Sequence, residues 1–154
     1  MKENNRTYNS VTAAKYLLAL AFSKGRILNV TQVQKLLYMA YGYFLAREGR
    51  ILLDENPRAW PYGPVFPKTR EEIDYSTVVE LSSDEFDEIR TDEALNHFYK
   101  LLIDKYAVFT ASQLSEWSHT EGSPWDKTVK QNNYRWNVCI PDEFITAYFS
   151  TANF

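Results

Sequence analysis

The segment Trp60-Pro61-Tyr62-Gly63-Pro64-Val65 limits what this chain can fold into more than any other. Proline fixes its own φ at about −65°, donates no backbone hydrogen bond and pushes the preceding residue out of the helical region. Pro57 and Pro67 flank the segment, so four of the six prolines fall within residues 57–67. No helix runs through such a stretch. The pattern predicts a rigid, aromatic, extended turn. Ile51–Leu53 and Arg58–Trp60 read as short strands, paired as a hairpin across Asp54–Pro57.

Helical patterns lie on both sides of this segment. Ser10 reads as the N-cap of a helix over about Val11–Lys24, closed by Gly25, with Val11, Ala14, Leu18, Ala21 and Phe22 on one face. Asn29 caps a second helix, in which Gln32 completes a capping box, Leu28 staples to Val33 and Gly49 provides the stop. Its stripe of Val30, Val33, Leu37, Ala40, Tyr41 and Phe44 is joined by aromatics on other faces, which predicts a central helix. Gly42 within it costs about 1 kcal/mol against Ala, and close approach of a neighbouring element is the compensation expected.

After the turn, Pro67 opens a short helix to about Ile73, and Thr77–Leu81 reads as a short strand. A helix over Asp92–Tyr106 follows. Thr110 and Gln113 form the capping box of a helix over Ala111–His119. Ser123, Pro124 and Asp126 open another, Val138–Ile140 reads as a strand, and a last helix runs from Asp142 to about Phe149. The expected fold is mainly α, one compact multi-helix domain over residues 1–154 with a small antiparallel β element, at the margin of α+β.

A chain of 154 residues with 24 aromatics has the apolar payload for a core of its own. Its single cysteine, Cys139, excludes an intramolecular disulfide and, between Val138 and Ile140, reads as a buried small hydrophobe. The longest apolar run, Tyr16–Phe22, is far short of the roughly 20 residues that span a bilayer. Lys2, Arg6 and Lys15 precede it in the manner of a signal peptide, but the run reads better as part of a helix. A cytoplasmic protein without membrane contact is expected.

The formal charge of −3 argues against a general nucleic-acid binder. The charge is unevenly placed. Residues 1–70 carry 11 basic and 4 acidic side chains, whereas residues 71–93 carry 10 acidic and one basic, Arg90. Two readings of the acidic stretch stay open. It is a solvated face that aids solubility, or a docking surface for a basic partner centred on Asp84, Glu85, Asp87, Glu88, Asp92 and Glu93.

Catalytic constellations are thin. His119 and Glu121 form an acid–base pair with no nucleophile beside it, and the simpler reading has His119 hydrogen-bonding locally to hold the turn into Trp125. His97, His119 and Cys139 lie too far apart for a recognisable metal site, and the five scattered glycines form no phosphate loop. No enzyme, metal or cofactor follows from the residues. The second helix, loaded with Leu, Tyr and Phe, is unlike a helix that reads a DNA groove.

Three blocks together resemble the Panacea domain family: Asn29–Tyr38, Ala59–Val65 and Gln113–Trp125. They occur in the family's order, within a resemblance that runs from about Val11 to Phe149. The family's signature falls on Gln34, Lys35, Leu36, Leu37 and Tyr38, then on Ala59, Trp60, Tyr62, Gly63, Pro64 and Val65, and then on Ser118, His119, Glu121, Pro124 and Trp125. Pro61 and Gly122 depart from the usual pattern. The resemblance implies a helical antitoxin that neutralises a co-encoded protein toxin by binding it, alarmone-synthetase-like enzymes and other translation-targeting proteins being among the toxins. One branch delivers its toxin to a protease. A phage or mobile-element adaptor that binds a host protein is the alternative. On either reading the signature residues are mostly scaffold.

Overall fold

The computed structural model describes residues 5–154, so Lys2 lies outside the described residues. The first helix, α1, spans Ser10–Ser23. Its cap is Asn9, one residue earlier than expected: the Asn9 carboxamide accepts from the N–H groups of Val11 and Thr12 at 2.9 and 3.3 Å. The Ser10 hydroxyl is occupied elsewhere, donating to Glu55 at 2.5 Å. The single apolar face expected of α1 gives way to burial all round, since every residue from Tyr16 to Ala21 is buried. Phe22, expected on the inner face, is instead 54% exposed.

The central helix is α2, Val30–Glu48, opened by the Asn29–Gln32 capping box and closed by Gly49. Every residue from Val33 to Gly42 is buried. Around it pack α5 (Glu93–Tyr106), α6 (Ala111–Ser118) and α8 (Asp142–Phe149), while α1 packs on α5 and on α3 (Pro67–Glu72). The rings of Tyr43 and Phe98 stack with centroids 4.0 Å apart, and Tyr38 meets Phe149 edge-on at 5.4 Å. Between α3 and α5 lie a 3₁₀ turn at Asp84–Phe86 and the short α4, Asp87–Arg90. The helix after α6, α7, spans Pro124–Gln131 with Ser123 as its cap.

The β element differs from the expected hairpin. Strand β1, Arg58–Trp60, pairs antiparallel with β2, Gly63–Val65, across the two-residue turn Pro61-Tyr62. Its other edge takes β3, Val138–Cys139, so the order is β2-β1-β3. Ile51–Leu53 does not pair with β1: Leu53 bridges Tyr8 in parallel. The reason lies in Asp54 and Glu55, whose carboxylates accept from Ser10, Lys68 and Thr69 and so tie the connection to α1 and α3. Thr77–Leu81, expected as a strand, is irregular. An Asx turn at Asp74–Ser76 redirects the chain before it, and Arg90 takes the Leu81 carbonyl at 2.8 Å after it. Cys139 is exposed on β3, not buried.

Gly42 meets the ring of Phe149 so closely that a Cβ there would overlap it. This is the close approach expected of a glycine inside a helix. Gly42→Ala therefore loses stability by about 1–3 kcal/mol through overpacking, against a propensity gain of about 1 kcal/mol, and a lowered urea midpoint checks it.

Candidate functional site

The first two positions of the signature in α2, Gln34 and Lys35, are polar, yet both are buried. Gln34 turns its carboxamide on Phe66, accepting from the Phe66 N–H at 2.7 Å and donating to the Phe66 carbonyl at 3.4 Å. It thus acts on the peptide groups after β2 as a neighbouring strand would. Lys35, 2% exposed, donates from Nζ to the Pro64 carbonyl at 3.0 Å. Burial pushes its ammonium down to about 8. Leu36, Leu37 and Tyr38 fill the core beneath.

The hairpin is held equally from the far side. Ser115 of α6 donates its hydroxyl to the Tyr62 carbonyl at 2.5 Å, and Trp125 of α7 donates its indole N–H to the Trp60 carbonyl at 2.7 Å. Trp60 in turn donates to the Asn137 side chain at 3.0 Å, and Arg70 lies over the Trp60 ring, 5.3 Å from its centroid. Gly63, at φ +120°, fits where no other residue would, because a Cβ there would overlap the Ser118 hydroxyl. Pro124 is buried at the start of α7.

His119 packs on Trp125 with ring centroids 5.4 Å apart, but its buried Nδ1 has no hydrogen-bond partner among the described residues. The local hydrogen bond expected of it is replaced by ring packing and by its backbone N–H, which closes α6 on Glu116. Glu121 is exposed on the following turn. The three signature blocks therefore converge on one hairpin, clamped between α2, α6 and α7.

A profile described as antitoxin SocA-like, Panacea domain, matches residues 33–126, a span that holds the second and third blocks whole and the first from Val33 onward, with every signature residue. It covers 94 of the 154 residues. The chain belongs to this family. No curated protein and no solved structure matches it. The Panacea domain's antitoxin character thus applies to a chain whose signature residues, apart from exposed Tyr62 and Glu121, are buried or half-buried supports of the hairpin.

The acidic stretch divides in two. Asp84, Glu85, Asp87, Glu88 and Glu93 are exposed, whereas Asp92, expected among them, is 1% exposed and faces inward. Asp92 accepts from the Arg50 guanidinium and the Tyr8 hydroxyl, each at 2.7 Å, and caps α5 through the Leu95 N–H at 3.1 Å. Four of the acids, Asp84, Glu85, Asp87 and Glu88, line a groove of about 250 Å³ beside Asn9 and Thr12. Glu85 pairs with Lys15 at 3.6 Å and Asp87 with Arg90 at 3.0 Å. Among the described residues no cluster of His, Cys, Asp and Glu is arranged to hold a metal ion, and no helix is long and apolar enough to cross a membrane.

Sequence reasoning missed Arg50, Glu55 and Arg70. Arg50 and Glu55 find their partners through the fold and not through any spacing, so no periodicity marks them. Arg70 carried a signal only in being a cation soon after an aromatic, Pro-rich turn.

Two predictions come from these buried charges. Lysine in an unfolded chain titrates near 10.4, so between about pH 8 and 10.4 the unfolded state binds more protons than the native state and stability rises with pH. The native protein gains about 1–2 kcal/mol between pH 8 and 9.5, a gain absent in Lys35→Met, when urea midpoints are compared at the two pH values. Tyr38, Tyr41 and Tyr99, whose hydroxyls burial raises, pull stability the other way, but only as the pH nears the value of about 10 at which unfolded tyrosines ionise, and Lys35→Met leaves that contribution in place. Asp92→Ala strands the buried Arg50 charge and loses about 3–5 kcal/mol in equilibrium unfolding.

Proposed function

We propose that this Panacea domain is the antitoxin of a two-gene module, neutralising a co-encoded protein toxin by binding across its active cleft. Membership of the antitoxin-like family carries the reading, and the acidic groove supports a place for the contact. A cleft that works on nucleotides or RNA is lined with cations, and a ridge of carboxylates complements it in potential. Occlusion of this kind needs no chemistry of the antitoxin's own. An interface of ordinary size, about 1,600 Å², extends beyond the groove and takes its anchors from exposed aromatics. Phe22, Tyr134 and Trp136 are available for that purpose.

The groove is presented rigidly. Arg90 gathers the carbonyls of Leu81 and Ser83 at 2.8 and 2.7 Å, and the Arg50–Asp92 pair anchors the start of α5 directly behind it in the chain. A partner's Lys or Arg side chains meet a preformed surface, which limits the ordering entropy of binding.

Growth tests this reading. The neighbouring reading frame is induced alone and then together with this protein, and the complex is recovered by pull-down. Relief of toxicity with a stable complex is the expected result. Rescue without a complex, or with the toxin destroyed by a protease, favours an adaptor. Replacing Asp84, Glu85, Asp87 and Glu88 by Lys lowers toxin affinity about tenfold or more at low salt and flattens its salt dependence. Unchanged neutralisation by that variant places the contact elsewhere.

A further inference from the structure

A second groove, of about 460 Å³, opens between the hairpin tip, the first turns of α2 and α6, and α3. It shares no residue with the acidic groove. Its wall carries two cations, Lys35 and Arg70, and no carboxylate. In a chain where 20 acids outnumber 17 bases, that is a local reversal of sign.

Neither cation is neutralised. No carboxylate of the described residues forms an ion pair with Lys35 or Arg70. Lys35 is buried, and of its three N–H donors one is given to Pro64. An ammonium so placed is costly to hold without a compensating anion. Arg70 is exposed on α3 with its guanidinium 5.3 Å from the centroid of the Trp60 ring, and a guanidinium suits a two-pronged contact with a phosphate.

The rest of the lining is of a different character. Tyr62 stands 79% exposed at the hairpin tip, with no ring stacked on it among the described residues. Thr31, Ser112 and Ser115 bring hydroxyls to the same space. The volume lies within the roughly 300–1,000 Å³ usual for small-molecule sites. Two unneutralised cations, a free aromatic face and a set of hydroxyls match one class of ligand in each of its parts.

We propose that this groove binds a nucleoside monophosphate, its phosphate on Lys35 and Arg70, its base against Tyr62 and its ribose among Thr31, Ser112 and Ser115. The assignment is independent of the antitoxin reading and holds for the protein alone.

Calorimetric titration of the intact protein with the four ribonucleoside 5′-monophosphates tests it. Saturable binding with Kd below about 1 mM is expected for at least one of them. The matching nucleoside, without phosphate, and inorganic phosphate, without the nucleoside, each bind about tenfold or more weakly. Arg70→Gln, at an exposed position, weakens the nucleotide about tenfold, and Tyr62→Ala about fivefold, with circular dichroism and melting temperature unchanged. The assignment is overturned if no nucleotide binds at up to about 5 mM, or if inorganic phosphate binds as tightly as the nucleotides. Unaltered binding by both Arg70→Gln and Tyr62→Ala overturns it as well.

Discussion

The hairpin of this domain depends on the contact between Gln34 and Lys35 of α2 and the peptide groups of Pro64 and Phe66. Strands of three residues carry too few hydrogen bonds of their own to persist in water. The outer edge of β2 would also be left with unpaired peptide groups in a buried place. Two polar side chains supply the missing partners, which explains why a helix that is otherwise core carries an amide and an ammonium on its inward side. The arrangement in turn requires α2 to be covered on every face. Phe149 against Gly42 supplies that cover on one flank, and the clamp on the hairpin supplies it on another.

A second buried contact organises the opposite kind of charge. Arg50, just past the end of α2, holds Asp92 at the start of α5, and the Tyr8 hydroxyl joins them. Three separated segments meet at one carboxylate. The guanidinium also lies over the rings of Phe44 and Tyr8, at 5.2 and 5.6 Å, so the pair is embedded in aromatic packing. A carboxylate that belongs by position to the acidic stretch is thereby withdrawn into the core, and its neighbours are left outside as a surface.

Local chemistry made much of this legible. The capping boxes at Asn29 and Thr110, the Ser123-Pro124 helix start and the proline-rich break each act within a few residues, and each was readable from the residues alone. The helical class followed from them, as did the family resemblance borne by the three blocks. What escaped was decided at long range. Strand pairing at Arg58–Trp60 hinged on Glu55 being drawn to Ser10 and Thr69, and the direction of Asp92 hinged on Arg50. Cys139 looked internal between two apolar neighbours. An edge strand instead turns it outward and buries Ile140. The polarity of Gln34 and Lys35 pointed to a surface or a signature, and only the position of β2 explains their burial.

The pairing of β1 with β3 has a bearing on how the protein comes into being. Arg58 lies opposite Cys139, and the Asn137 N–H and side chain serve Ala59 and Trp60. On the ribosome, β1, β2 and the α2 residues that hold β2 emerge long before these residues. Such distant pairing is slow to nucleate, because most of the chain must be looped before the bonds form. Until then β1 presents a bare edge, the feature that chaperones and proteases recognise and that aggregation exploits. Among the described residues β3 is the last strand in chain order, and by covering the edge of β1 it acts as a late seal on the sheet.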